Sequence, residues 1–162
     1  MAKSSKKTPL RKPKASRSTA VPDVTRVLQG GMPLALGVRI TSITRQKVIG
    51  EMPVAKIHMN LNGRVNGGAI MSFGDVLGAA GAVANRPPGY RGGTIESKTN
   101  FFAGGKGPLL TGVSVALHVG RTTSVWQTTI KNADGRMVAI VTQTQISVPV
   151  AGEREVTKNS DE

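Results

Sequence analysis

The chain contains no cysteine. That absence removes disulfides, thiolate zinc sites and any cysteine nucleophile together, and it fits a reducing compartment such as the cytoplasm. Aromatic residues make up only 3% of the sequence, so stacking platforms for single-stranded nucleic acid are scarce. No run of 18 apolar residues is present, from which no membrane-spanning helix is expected. Acidic residues are few, nine against 22 Lys and Arg, and none occurs in the first 20 positions. There Lys3, Lys6, Lys7, Arg11, Lys12, Lys14 and Arg17 stand without an apolar stretch behind them, so no secretory signal is predicted. These seven charges are about half of the net +13 and say little about the fold. The rest of the chain is moderately basic, which suits a polyanionic ligand such as coenzyme A or a nucleic acid.

What is present is one domain's worth of apolar pattern between two polar tails. Residues 1–22 hold almost no large apolar side chain, cannot offset the entropy of ordering, and are predicted to be disordered. The predicted folded domain runs over 23–150, and 151–162 reads as a polar tail. Asp23 is placed to cap a short helix through Val24, Val27 and Leu28, closed by Gly30 and Gly31. Leu34 to Thr44 and Val48 to Met59 read as strands joined by Arg45-Gln46-Lys47. Gly67 to Ala84 is mostly apolar or tiny, lacks alternation, and is too long for a buried strand, so it predicts a buried helix. Its glycines at 74, 78 and 81 each cost about 1 kcal/mol against alanine in a helix, which implies very close packing. Asn85 to Gly93 reads as a loop. Four strands follow, Thr94 to Phe102, Leu110 to Val119, Ser124 to Asn132 and Met137 to Val148, with an Asp134-Gly135 hairpin between the last two. A long central helix wrapped by a mostly antiparallel sheet is an α+β architecture.

That order, and several stretches of sequence, resemble the PaaI-like hotdog-fold acyl-CoA thioesterases. Met32-Pro33-Leu34-Ala35-Leu36-Gly37-Val38 resembles the family's first strand. His58-Met59-Asn60-Leu61-Asn62-Gly63-Arg64-Val65-Asn66-Gly67-Gly68 resembles its H-x-N-x-x-G-x-V-H-G-G loop, with Asn66 where the family usually has histidine. Asp75 stands nine residues later, at the spacing of the family's helix acid. Thr94 to Phe101, Val119-Gly120-Arg121-Thr122, Asp134 to Ala139 and Thr142-Gln143-Thr144 resemble the remaining strands. The likeness covers about Met32 to Val148.

The resemblance implies hydrolysis of an acyl-CoA to a carboxylic acid and free coenzyme A, with no metal and no cofactor besides the coenzyme A of the substrate. It implies Asp75 as base or nucleophile; an aspartate within an apolar helix is expected to be partly desolvated, although taken alone, without the motif spacing, it reads rather as a structural acid. Gly67 is the oxyanion candidate, because helix N-termini present unpaired N–H groups and the positive dipole end. Asn60 is a candidate for holding water or the carbonyl, or for simply fixing a turn. Asn66 can donate a hydrogen bond but cannot pass a proton, so the alternative reading is a non-catalytic acyl-CoA-binding protein. Gly68, Arg91, Arg121 and Thr122 are substrate-binding candidates, the arginines for phosphate, with solvated surface as the plainer reading of Arg91. His58 and His118, far apart and without matching acids, make a poor metal case, and Ser72 lacks a histidine at useful spacing for a serine hydrolase. The implied assembly is a homodimer paired edge to edge, joining further into a tetramer. No membrane partner is expected, and a basic tail alone would hold nucleic acid weakly.

Overall fold

The computed structural model describes residues 24–150. The predicted tails and the cap at Asp23 lie outside the described residues. After a 3-10 turn at Thr25–Leu28, the elements are α1 (Gly31–Ala35), β1 (Arg39–Ile43), β2 (Lys47–Pro53), a second 3-10 turn (Lys56–His58), α2 (Gly67–Asn85), β3 (Tyr90–Phe101), β4 (Leu109–Val119), β5 (Thr123–Asn132) and β6 (Met137–Pro149). The six strands form one sheet in the order β1-β2-β4-β5-β6-β3, and every neighbouring pair is antiparallel. The α+β hotdog architecture expected from the sequence is the one observed, with α2 lying along the inner face of the sheet.

The strands bury alternate residues because side chains on a pleated strand point to opposite faces. In β5, Ser124, Trp126, Thr128, Ile130 and Asn132 are buried and their neighbours are less so. The core joins Trp126 and Ile130 to Phe73, Leu77 and Ala80 of α2 and to Val48, Met52, Leu110 and Val141 of the sheet. The helix glycines are explained by what lies against them. A Cβ at Gly74, Gly78 or Gly81 would fall 2.6 Å from Val141, 2.5 Å from Gln143 or 2.6 Å from Trp126. The sheet reciprocates: a Cβ at Gly50 or Gly112 would fall within 2.6 Å of Leu77. Large side chains of each layer therefore seat in glycine hollows of the other, and the helix comes closer to the sheet than alanine would allow. At the C-terminal end of α2, Arg45 donates to the Ala84 carbonyl, and Asn85 Nδ2 donates to the carbonyls of Gly81 and Arg45. By length and composition α2 could cross a membrane, contrary to the expectation from unbroken apolar runs, but more than half of it is buried inside the fold.

Three boundaries differ from the sequence reading. The predicted strand from Leu34 begins as helix: Leu36 and Gly37 donate backbone hydrogen bonds to Met32 and Leu34 at 2.9 Å, and Gly37 at φ 64° ends the turn. The signals were Pro33 in a first helical turn and a glycine just past its end, both of which outrank branched-residue content over five residues. The predicted strand from Val48 stops at Pro53, and Lys56–His58 turns instead. β3 begins at Tyr90 inside the predicted loop, since pairing with β6 continues to Tyr90↔Pro149 and backbone ladders need no particular side chains. The Asp134-Gly135 hairpin is confirmed, with Gly135 at φ 81° and the Asn132 N–H donating to the Arg136 carbonyl at 3.0 Å.

Candidate active site

Asp75 sits on the third turn of α2, half-buried, and leans toward the edge strand β3. Its Oδ1 accepts the Thr94 hydroxyl at 2.8 Å and Gln143 Nε2 at 3.1 Å. Gln145 Nε2 donates to Thr94 Oγ1 at 2.7 Å, so the single hydroxyl proton is left for the carboxylate. Thr94 stands at a register shift in the β3–β6 ladder, between Thr94 and Glu96, and bulges of this kind re-aim side chains. Gln143 and Gln145 are buried on the inward phase of β6. The Gln143 Oε1 has no hydrogen-bond partner among the described residues, an arrangement that costs about 1–3 kcal/mol.

At the start of α2, Asn66 is the N-cap and its Oδ1 accepts the Gly68 N–H at 2.8 Å. The Gly67 N–H has no acceptor among the described residues. Asn60 Oδ1 accepts the N–H groups of Asn62 and Arg64 at 2.9 and 3.1 Å, so the turn role holds, and its Nδ2 has no hydrogen-bond partner among the described residues. Asn60 and Gly67 line one cleft of about 420 Å³ with Phe101 and Phe102. A second, of about 340 Å³, is apolar and bordered by Met32, Leu36, Ile57, His58 and Gly68. His58 is buried and its Nδ1 accepts the Ala55 N–H at 3.1 Å, closing the 3-10 turn rather than ending a strand. Asn66→Ala is expected to lower stability by about 1 kcal/mol, while Asn66→Ser stays near wild type; equal Tm values for the two variants would show that the cap contributes nothing.

Gly67, Met71 and Asp75 follow one another at four-residue spacing and share one stripe of α2. That stripe runs along β3: a Cβ at Gly67 would meet the Phe101 ring at 3.3 Å, and Asp75 meets Thr94. Eight residues of helix separate the free N–H at Gly67 from Asp75 by about 12 Å. One copy of the chain therefore does not bring both to a single carbonyl. Thr122 and Arg121 gather with Arg91 at the other end of the sheet, since the Ser147 N–H donates to the Thr122 carbonyl and Arg91 pairs with Val148. Arg121 lines a cleft of about 430 Å³ beside Asn85, Gly120 and Ser124; Arg91 and Thr122 are exposed outside it.

A family model described as the thioesterase superfamily matches residues 62–139. PA1618 of Pseudomonas aeruginosa, an esterase by name, is 30% identical over 118 residues, 72% of this chain and 81% of that protein. The chain belongs to the thioesterase superfamily. This places the protein among the thioester hydrolases. A structure of a mutant of thioesterase PA1618 superposes with a TM-score of 0.75 at 24% identity, over 83% of this chain and 97% of that one. Escherichia coli PaaI gives 0.69 at 21%, over 79% and 90%. A Streptococcus pneumoniae thioesterase protein solved with coenzyme A gives 0.63 at 26%, over 71% and 88%.

The segment that matches the thioesterase family model contains Asn66, Gly67, Gly68, Asp75, Arg91, Arg121 and Thr122, and stops short of Gln143 and Gln145. Three residues of the thioesterase's carboxylate environment escaped the sequence reading: Thr94, Gln143 and Gln145. The signal for the glutamines was available. They continue the inward phase set by Val141 in a strand that alternates, and a polar residue in an apolar phase calls for a partner.

Proposed function

We propose that this thioesterase hydrolyses an acyl-CoA to a carboxylic acid and free coenzyme A, with Asp75 as base or nucleophile, in a site shared by two copies of the chain. The observation that carries the reading is Asp75 itself: a carboxylate anchored by Oδ1, with no hydrogen bond to Oδ2 among the described residues, on the stripe that begins at a free helix N-terminus.

In the water route, Asp75 takes a proton as the water oxygen bonds to the thioester carbon. The oxyanion is held by the Gly67 N–H and Asn60 Nδ2. Collapse breaks the carbon–sulfur bond, and the proton passes from Asp75 to the departing thiolate. The 12 Å separation, about two helical turns, requires the donors to come from a second copy. A two-fold axis past Met71, four residues from both Gly67 and Asp75, sets one copy's Gly67 beside the other's Asp75. Met71 and Ile95 are exposed in the single chain, at 39% and 59%. β3 is a twelve-residue edge strand whose unpaired backbone groups call for a cover. Pairing β3 with its copy answers both, and the coenzyme phosphates would then be met by Arg91, Arg121 or Thr122. The structure with coenzyme A among the similar proteins supports the choice of thiol carrier.

Thiol release from a panel of short, long and aromatic acyl-CoA esters tests the activity, and no turnover on any ester would sink it. Binding without turnover would select the alternative, an acyl-CoA-binding protein in which Asn66 marks lost chemistry, and Asn66→His would then be the variant to assay. The shared site has its own test. Asn60→Asp keeps the oxygen that accepts both turn N–H groups and removes the Nδ2 donor. Mixed with Asp75→Asn, random reassortment makes half the dimers mixed, each with one intact site of two, so about a quarter of wild-type activity should return. Activity no higher than the sum of the separate variants would place both residues in one chain's site.

A further inference from the structure

The hydrogen bonds at Asp75 fall on one oxygen. Oδ1 receives Thr94 Oγ1 and Gln143 Nε2, at 2.8 and 3.1 Å, and among the described residues Oδ2 receives none. We propose that Gln143, together with the Gln145–Thr94 pair, is a positioning device that locks Asp75 through Oδ1 and makes Oδ2 the reacting oxygen. The proposal rests on the reading of Asp75 as base or nucleophile.

The cost of placing Gln143 there is visible in its own amide. Its Oε1 is buried without a partner. Facing it, Gly78 leaves out a side chain: a Cβ there would lie 2.5 Å from Gln143 Cδ and 2.7 Å from both Nε2 and Oε1. A carbonyl's hydrogen bond is given up to bring one N–H to the carboxylate. Leucine, of similar volume, would fill the same hollow at Gly78 without the unpaired carbonyl. A residue whose presence works against stability points to a task at the site. The same Nε2 also lies 3.2 Å from the Asp75 backbone carbonyl, which ties the amide to the helix as well as to the carboxylate. On the other side the relay has one direction. Gln145 Nε2 donates to Thr94 Oγ1 at 2.7 Å, so the hydroxyl can only donate onward to Asp75. Two donors from two strands stop rotation of the carboxylate about its last bond, and that rotation would exchange Oδ1 with Oδ2.

The test compares Gln143→Leu, Thr94→Val, Thr94→Ser and Asp75→Asn with wild type for kcat, KM and Tm on the best ester of the panel. Loss of positioning should lower kcat of Gln143→Leu about 10- to 100-fold, leave KM within about threefold and leave Tm at or above the wild-type value. Thr94→Val should lose kcat similarly, and Thr94→Ser, which keeps the hydroxyl, should retain it. Thr94 is exposed on the edge strand, so this pair decides the matter even if Gln143→Leu does not fold. With Asp75→Asn inactive, wild-type kcat in both Gln143→Leu and Thr94→Val overturns the positioning role alone. A Gln143→Leu defect that comes with a lowered Tm, while Thr94→Val keeps its kcat, assigns the glutamine to packing and also overturns it. Full turnover by Asp75→Asn overturns the base reading and the positioning role together.

Discussion

Asp75→Asn is expected to lower kcat by about 10²- to 10⁴-fold, the range that a general base supplies, with Tm within a few degrees of wild type. The asparagine keeps the size of the side chain and an oxygen that can accept from Thr94 and Gln143, so the two bonds at Oδ1 survive. At the other branch an NH₂ group, a donor, replaces the oxygen that would take a proton or attack carbon. Asp75 is half-buried rather than part of the apolar core cluster, so the change removes no packing. Steady-state kinetics beside a thermal melt separate the two effects. Undiminished turnover in a folded Asp75→Asn protein would move the catalytic carboxylate elsewhere. Loss of both turnover and fold would make Asp75 a structural residue.

Gly81→Ala is expected to destabilise the protein although alanine is the better helix former. The methyl group would lie 2.6 Å from Trp126 Cη2 and Cζ3 and 2.7 Å from Cε3. Trp126 is fully buried, and its Nε1 donates to Ser124 Oγ at 3.1 Å, so the ring cannot swing away without breaking that bond. Overpacking of this kind costs about 1–3 kcal/mol, against roughly 1 kcal/mol regained in helix propensity. At about 4 °C per kcal/mol for a domain of this size, a net loss of up to about 2 kcal/mol appears as a Tm lower by up to about 8 °C. Gly81→Leu should leave little folded protein. The cause is checked by a double-mutant cycle: in a Trp126→Leu background, the Gly81→Ala penalty should shrink or change sign. An unchanged penalty would place the clash with something other than the indole, and a higher Tm for Gly81→Ala alone would refute the close packing of α2.

Gly81, Gly78 and Gly74 also show how far a sequence speaks about packing. Three glycines in an apolar helix announced a close approach, because nothing else compensates their entropy. Which side chains fill the three hollows could not be read from them. Val141, Gln143 and Trp126 come from two strands 45 or more residues away, and their match to the helix depends on sheet order and register. Asp75 is similar. Its candidacy came from the resemblance of one loop and one helix to the family's motif, which is local and survives into the fold. Its environment is made of Thr94 and Gln143, 19 and 68 residues on, and a bulge in β3 sets the first of them.

The sequence by itself determined the α+β order of elements, the span of α2 to within one residue and the hairpin at Asp134-Gly135. These follow from periodicity, turn chemistry and caps, which act over a few residues. Only the tertiary structure decided that β3 is the long exposed edge and that one oxygen of Asp75 is held by Thr94 and Gln143 while the other is open. The physical reason is common to both. Each depends on which distant backbone or side-chain groups come to lie within hydrogen-bonding or van der Waals reach, and that is settled by strand register and helix seating rather than by any run of neighbours along the chain.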